Sequence, residues 1–146
     1  MKTANTTVVI ATAQKIQAID ITQQVSSAVY HSGVKNGLAS VFCRHTTAAV
    51  TINECEPGLS QHDIPKALEQ IIPVGPYQHD KTAAGHTMVG ERANGRAHLQ
   101  SIILSSNQTI PIKDGELALG RWQNIIFMEL DGPRPQREFM IQIIGE

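Results

Sequence analysis

Short segments with β-strand character contain most of the apolar positions along the chain. Residues 6–13 (TTVVIATA) are rich in β-branched side chains, and in residues 48–54 (AAVTINE) apolar and polar side chains alternate. Both patterns are typical of strands, because successive side chains of a strand point to opposite faces. On these grounds the pattern predicts strands over residues 6–13, 38–44, 48–54, 99–104, 109–112, 124–130 and 138–144.

Two other segments have a helical pattern. Residues 22–30 begin with polar residues suited to an N-cap and are followed by Gly33, which is suited to the C-cap. In residues 59–72 the apolar side chains fall on one helical stripe. Proline is tolerated only in the first turn of a helix, so Pro65 predicts that this helix begins near residues 62–63.

The order of these elements predicts the fold class. Residues 73–94 follow the second helix without any periodicity, which is typical of a functional or irregular loop. The later strands are linked by tight turns, including the hairpin signal Asp114-Gly115. Strands linked in this way pair antiparallel, so the sequence predicts one α+β domain over residues 1–146, with mostly antiparallel sheets and two or three helices.

Composition and charge exclude several classes of function. The chain has 146 residues, is 41% apolar and carries a formal net charge of −1, with its basic residues dispersed. Binding to nucleic acid or to an anionic membrane needs clustered basic residues and is therefore not expected. The sequence lacks an apolar run of about 20 residues and a signal-peptide pattern. We expect a cytoplasmic protein in which Cys43 and Cys55 are reduced thiols.

Polar residues bracket the predicted strand over residues 48–54. His45, Thr46 and Thr47 precede it, and Asn53 and Glu54 close it. An imidazole can bind a metal or transfer a proton near neutral pH, and hydroxyl groups can bind phosphate oxygens. A polar turn in which the threonines satisfy backbone groups explains the first three residues equally well.

Three further histidines have a functional and a structural interpretation. His62-Asp63 lies near a predicted helix start, where aspartate is a common cap. His79-Asp80 opens the irregular stretch, where a carboxylate can orient a metal-bound histidine. His98 enters a predicted strand, so its ring could point into a cavity, although a lone histidine on such a face is more often a core residue.

A last cluster combines a cation, a flat ring and an amide in Arg121, Trp122 and Gln123. These groups suit an anionic or aromatic ligand, and the structural alternative is a loop whose tryptophan anchors the core. Glu54 and Asp63 are the candidate catalytic carboxylates, because either can serve as a general base. Glu54 ranks first, since an unpaired charge on the apolar side of a strand is costly and needs a partner or a function.

At these clusters the sequence resembles the YjbQ-like proteins of the UPF0047 family. The resemblance runs from about Thr6 to the C-terminus. It is carried by His45-Thr46-Thr47-Ala48, Thr51-Ile52-Asn53-Glu54, His62-Asp63, Tyr77-x-His79-Asp80, Ala97-His98, and Asp114-Gly115 through Gly120-x-Trp122-Gln123. The sequence departs from the usual pattern at Arg121, where the family more often has Thr or Ser.

The resemblance implies a sandwich-like domain that assembles as a homotrimer with a metal-associated histidine site. We accordingly expect His45, His79 and His98 to bind a divalent metal, and Zn²⁺ rather than Mg²⁺ because Mg²⁺ prefers oxygen ligands. The resemblance also implies a side activity as a thiamine-phosphate synthase, which joins a pyrimidine pyrophosphate to a thiazole phosphate. The expected substrate contacts are Thr46, Thr47, Asn53, Arg121, Trp122 and Gln123.

Three functions stay open at this point. The chain is a metal-dependent transferase acting on small phosphorylated substrates, a zinc-dependent hydrolase, or a non-catalytic trimeric module that binds a small anionic ligand. Pyrophosphate chemistry usually recruits Mg²⁺, which weakens the transferase hypothesis beside a histidine site.

Overall fold

A computed structural model of the chain describes residues 1–83 and 92–146. Its strands are β1 (Lys2–Ile10), β2 (Gln17–Asp20), β3 (Gly37–Cys43), β4 (Ala48–Asn53), β5 (Asn107–Lys113), β6 (Glu116–Leu117), β7 (Asn124–Glu129) and β8 (Arg137–Gly145). Its helices are α1 (Thr22–Ser32), α2 (Ile64–Ile71), α3 (Gln78–Ala83) and α4 (Gly95–Leu104), and a π-helical turn (Leu59–Asp63) precedes α2. None of the helices in these two ranges is long and apolar enough to cross a membrane.

The strands form two sheets, and all the strand pairings are antiparallel. One sheet has the order β1-β8-β3-β5-β6 and the other has the order β2-β7-β4. The architecture confirms the predicted α+β class. The predicted number of helices, two or three, is lower by one or two than the four that the described ranges contain.

Apolar side chains form two cores on either side of the three-stranded sheet. Ile125 and Phe127 of β7 belong to the larger core, which also contains residues of the five-stranded sheet such as Ile141. Ile126 and Met128 belong to a second core, together with apolar residues of α2 and α4. Because side chains alternate along a strand, β7 is buried on both faces, and its sequence is an almost continuous apolar run.

Several local predictions are confirmed. The first helix ends at Gly33, which has a left-handed backbone with φ of 65°. Asp114 and Gly115 have φ of 55° and 87° in the turn between β5 and β6. Such positive φ values at both central positions are what a tight hairpin turn requires.

The strand predicted over residues 99–104 is wrong, because this segment is the second half of α4. The side chains of α4 that face the sheet include Gln100 and Ser101, whereas Ile102 and Ile103 are 78% and 56% exposed. The large apolar residues thus lie on the outer side of the helix. Their pattern therefore did not indicate which face is buried, and the β-branched residues indicated a strand instead.

Other predicted boundaries also need correction. The sequence did not predict β2, and it predicted an irregular stretch where α3 forms. Tight turns do not link all of the later strands, because β7 and β8 lie in different sheets and the segment between them does not form a hairpin. Residues 84–91 of the predicted irregular stretch lie outside the described residues.

A buried ion pair joins the two sheets. Glu129 at the end of β7 is fully buried and Arg137 at the start of β8 is 5% exposed. Arg137 Nε donates to Glu129 Oε2 at 2.8 Å, and the amide of Asp131 and the hydroxyl of Thr12 also donate to this carboxylate. Burial alone raises the pKa of Glu129, but these hydrogen bonds outweigh it, so the pKa is lowered overall.

Replacing Glu129 with Gln is expected to lower the free energy of unfolding by about 3–5 kcal/mol, because it leaves the guanidinium of Arg137 buried without a counter-charge. The matched control is Glu138→Gln, which breaks the surface pair with Arg44 (3.2 Å, side chains 49% and 29% exposed). That loss should stay below about 1 kcal/mol. Urea unfolding measures both, and equal losses would contradict the prediction.

The lowered pKa of Glu129 adds an acid dependence to the same experiment. Its stabilisation is present above the pKa of an unfolded glutamate and is lost as the pH falls through the lower folded-state value. The loss of stability on acidification should therefore be smaller in Glu129→Gln than in the wild type.

Candidate functional site

A cavity of about 460 Å³ lies between the connection from β3 to β4 and helix α4. Its walls are His45, Thr46, His98, Ser101, Ile102, Ser105 and Ser106. The structure therefore brings two of the predicted metal ligands, His45 and His98, to one cavity, which we call the histidine cavity. The three serines were not among the sequence candidates, and only the helical fold of residues 95–104 brings them here.

Hydrogen bonds between α4 and β4 place His98 in this cavity. Ser101 Oγ donates to the carbonyl of Ala48 at 2.7 Å, and the amide of Val50 donates to the carbonyl of Ser105 at 3.1 Å. These bonds hold the C-terminal half of α4 along the strand. His98 lies almost one turn before Ser101, and therefore beside the beginning of β4.

The backbone of β8 fixes the imidazole of His45. The amide of Glu138 donates to His45 Nε2 at 2.8 Å. A ring nitrogen that accepts a hydrogen bond carries the lone pair, so the proton of the neutral ring is on Nδ1. Burial lowers the pKa of His45, and the nearby charge of Arg137 lowers it further. His45 is therefore a neutral residue that offers an N–H donor.

The four hydroxyl groups of the histidine cavity are not equivalent. Ser101 and Ser105 donate to backbone carbonyls of Ala48 and Asn107. The hydroxyls of Thr46 and Ser106 make no side-chain hydrogen bond within residues 1–83 and 92–146. These two can therefore donate to a ligand without breaking an internal bond.

His79, the third predicted metal ligand, lies on α3 next to His98. The centroids of the two rings are 4.7 Å apart and their planes are inclined by 69°. Asp80 Oδ1 accepts a hydrogen bond from the amide of Gly95 at 2.8 Å, so this carboxylate caps the start of α4. A Cβ atom at Gly95 would lie 2.9 Å from Tyr77 Cβ, so only glycine allows the two helices to approach this closely.

The remaining candidate residues lie at the opposite end of β4. Asn53 pairs with Asn124 where β4 ends and β7 begins. Ile52, Asn53, Glu54, Trp122 and Gln123 line an open groove of about 530 Å³ there, which we call the tryptophan groove. Since β4 has six residues, this groove and the histidine cavity are on the order of 20 Å apart.

The tryptophan groove has an aromatic wall and an acidic wall. Trp122 is 63% exposed, which rules out the interpretation that it anchors the core. The guanidinium of Arg121 lies 4.9 Å from the centroid of the indole ring. Glu54 lies one residue past β4, is half-buried, and makes no side-chain hydrogen bond or ion pair among the described residues.

The contacts of two other candidates differ from the expectation. Asp63 is exposed and stands at the N-cap of α2, as the structural interpretation predicts, but its side chain makes no capping hydrogen bond. Thr47 is 6% exposed, and its hydroxyl accepts a hydrogen bond from Arg137 Nη2 at 3.0 Å. The side chain of Thr47 thus belongs to the buried ion-pair network and does not line the histidine cavity.

The donor geometry allows a direct test of the predicted metal site. Within residues 1–83 and 92–146, no group of three or more His, Cys, Asp or Glu side chains is placed to hold a metal ion. His79 and His98 are adjacent, as two ligands of one ion would be. His45 does not fit as the third, because its Nε2 is bound to the Glu138 amide and its Nδ1 carries the proton. A three-histidine site would need His45 to release the Glu138 amide, so the set does not fit the described residues as they stand and is still a prediction.

Comparison with known proteins identifies the family. A family model described as UPF0047 protein YjbQ-like matches residues 6–146. The chain belongs to the UPF0047 family. A UPF0047 protein from Methanothermobacter thermautotrophicus is 38% identical over 135 residues, which cover 92% of this chain and 87% of that protein.

Solved structures of UPF0047 relatives have the same fold. A YbjQ-like protein of unknown function from Sulfolobus solfataricus is 35% identical, with a TM-score of 0.89 over 99% of each chain. An uncharacterized family member from Clostridium acetobutylicum is 40% identical, with a TM-score of 0.83 over 95% of this chain and 99% of that one. Membership in UPF0047 thus establishes the fold, whereas the kind of ligand or reaction is indicated only by the residues of the site.

The close approach at Gly95 leads to a prediction about His79. The substitution Gly95→Ala is expected to push α3 away from α4, because the new methyl group meets the backbone-near atoms Tyr77 Cβ and His79 Cβ at 2.9 and 3.3 Å. The ring contact between His79 and His98 should be lost, with a destabilisation of about 1–3 kcal/mol. Proton NOEs between the two rings measure the contact.

Gly58→Ala is the control for this substitution. Gly58 has a helical backbone, and a Cβ there meets only the flexible carboxylate of Glu56. We expect unchanged NOEs in that variant. Intact NOEs between His79 and His98 in Gly95→Ala would show that Gly95 does not position α3.

Proposed function

We propose that this UPF0047 protein is an enzyme that acts on small phosphorylated substrates, and that the phosphate group binds in the histidine cavity. The observation that supports this most is the set of hydrogen-bond donors. The Nδ1–H group of His45 and the hydroxyls of Thr46 and Ser106 belong to one cavity, and none of its seven lining residues is acidic. Donors of this kind are what phosphate oxygens require.

The charges near His45 are of both signs. Burial contributes most to the lowered pKa of His45 and the charge of Arg137 lowers it further, whereas Glu129 and Glu138 raise it. Because Arg137 is paired with Glu129, the histidine cavity offers a phosphate neutral hydrogen-bond donors rather than the charge of Arg137.

The more specific form of the proposal is a transferase similar to thiamine-phosphate synthase. In that reaction a thiazole nitrogen attacks a methylene carbon of the pyrimidine pyrophosphate, and pyrophosphate leaves with the bonding electrons. The donors of the histidine cavity would stabilise the charge on the leaving group. The roles of Glu54, Asp63, Asn53, Arg121, Trp122 and Gln123 in catalysis or substrate binding stay predictions.

The predicted homotrimer would allow the tryptophan groove of one chain to lie near the histidine cavity of another, so that both contribute to the same reaction. A small molecule cannot span the distance on the order of 20 Å between the groove and the cavity of one chain. Apolar side chains on the outer face of the five-stranded sheet also favour an assembly. Leu38, Phe42 and Ile144 are 48%, 45% and 44% exposed there, and Leu38 and Ile144 are cross-strand neighbours.

Phosphate binding can be tested with inorganic pyrophosphate as the probe, using titration calorimetry. Thr46→Val removes one exposed hydroxyl of nearly the same size and is expected to raise the Kd about 10-fold or more, because a hydrogen bond to a charged group contributes about 1.5–3 kcal/mol. Thr109→Val on β5 is the control, since Thr109 is equally exposed and does not line the cavity. Equal Kd values in the two variants would contradict the proposed binding site.

Turnover assays distinguish the three functional hypotheses. Product formation that needs two substrates supports the transferase. Release of phosphate from one substrate supports the hydrolase, and binding without turnover supports the non-catalytic module.

Binding of a divalent metal, Zn²⁺ rather than Mg²⁺, is a separate prediction and an alternative to the phosphate contact of His45, because His45 Nε2 can present its lone pair to a metal only if it releases the Glu138 amide. Elemental analysis after dialysis against Zn²⁺ should find metal in the wild type and much less in the triple variant His45→Ala, His79→Ala, His98→Ala. His31→Ala is the control, because His31 lies on α1 and donates to the carbonyl of Ser27. The same metal content in the wild type and the triple variant would show that these histidines are not the ligands.

A further inference from the structure

A chain of polar side chains connects the segment after β7 to the ring of His79. Asn94 Nδ2 donates to Asp131 Oδ2 at 3.0 Å. On its other side, Asn94 Oδ1 lies 3.0 Å from His79 Nε2. Asn94 precedes the candidate His98 in sequence, but neither Asn94 nor Asp131 was predicted as a site residue, because Asp131 is far from both Asn94 and His79 in sequence.

Asp131 is held in place from several sides. It is 6% exposed, and Arg134 Nη2 donates to its Oδ2 at 2.6 Å. Arg134 Nε donates to its backbone carbonyl at 3.0 Å. Its own amide donates to Glu129 Oε1 at 2.9 Å, so it is attached directly to the buried ion pair. The acceptor that Asp131 presents to Asn94 therefore has a fixed position.

The direction of each hydrogen bond follows from the groups involved. A carboxylate only accepts, so Asn94 must turn its NH₂ group to Asp131. The amide oxygen of Asn94 then faces His79, and this oxygen also only accepts. The Nε2 atom of His79 must therefore carry a proton, and in the neutral ring Nδ1 carries the lone pair.

We propose that Asp131 is a positioning residue that acts through Asn94 to fix His79 as the Nε2–H tautomer. His79 and His45 are then opposite tautomers. The Nε2 atom of His45 accepts a hydrogen bond from the Glu138 amide, and its Nδ1 atom carries the proton. The two imidazoles are thus held in these tautomers by groups that are distant in sequence.

The tautomer itself can be measured without any ligand, so the test does not depend on the proposed function. In long-range ¹H–¹⁵N spectra of the free protein at a pH where His79 is neutral, its Nε2 should have the shift of a protonated nitrogen and its Nδ1 the shift of an unprotonated one. The Nε2–H proton should also be visible, because its hydrogen bond slows exchange with water.

Three variants test the role of Asp131. Asn94→Leu removes both hydrogen bonds, and Asp131→Ala removes only the distant one. Both should lose the Nε2–H proton signal of His79 and bring the two ¹⁵N shifts closer together. Asp131→Asn should retain the wild-type spectrum, because its amide oxygen can still accept from Asn94 and Arg134.

Two results would overturn the proposal. The first is a proton on Nδ1 of His79 in the wild type. The second is a wild-type His79 spectrum in Asp131→Ala. If Asp131→Ala does not fold, Asn94→Leu decides, because an unchanged Nε2–H signal there would show that Asn94 does not hold the ring.

Discussion

The site depends on the buried pair of Glu129 and Arg137. The pair connects the end of β7 in one sheet with the start of β8 in the other, and Thr12 and Thr47 complete its hydrogen bonds. A buried ion pair loses its hydration, and it is tolerated only when its remaining donors and acceptors are satisfied. Here backbone amides and hydroxyls satisfy them, so the pair fixes the relative position of the two sheets where the site is built.

Several residues of this network connect it to the site. Thr47 follows Thr46, Arg137 precedes Glu138, whose amide holds His45, and Asp131, whose own amide donates to Glu129, accepts the hydrogen bond of Asn94. The two imidazoles therefore take their orientation from one buried charge pair, although they lie on different elements. A change that shifts the pair would therefore alter the hydrogen bonds of both rings together.

The sequence predicted the strands well where the buried faces of a strand produce a clear pattern of apolar residues. The apolar run of residues 124–130 belongs to a strand that is buried on both faces, and the apolar positions Ala48, Val50 and Ile52 of β4 share the face that packs on the larger core. The pattern failed at α4, because the side chains that α4 buries include Gln100 and Ser101. Convergence of His45 and His98 could not be predicted either, since it depends on the hydrogen bond from Ser101 to Ala48.

The tautomers of His45 and His79 were the feature hardest to predict from the sequence, because each one depends on hydrogen-bond partners outside the side chain itself. An amide of β8 places the proton of His45 on Nδ1, and an aspartate of the segment after β7, acting through Asn94, places the proton of His79 on Nε2. Two identical residue types thus become opposite tautomers. Because each tautomer is set by a group that is distant in sequence, neither could be inferred before the two sheets were brought together.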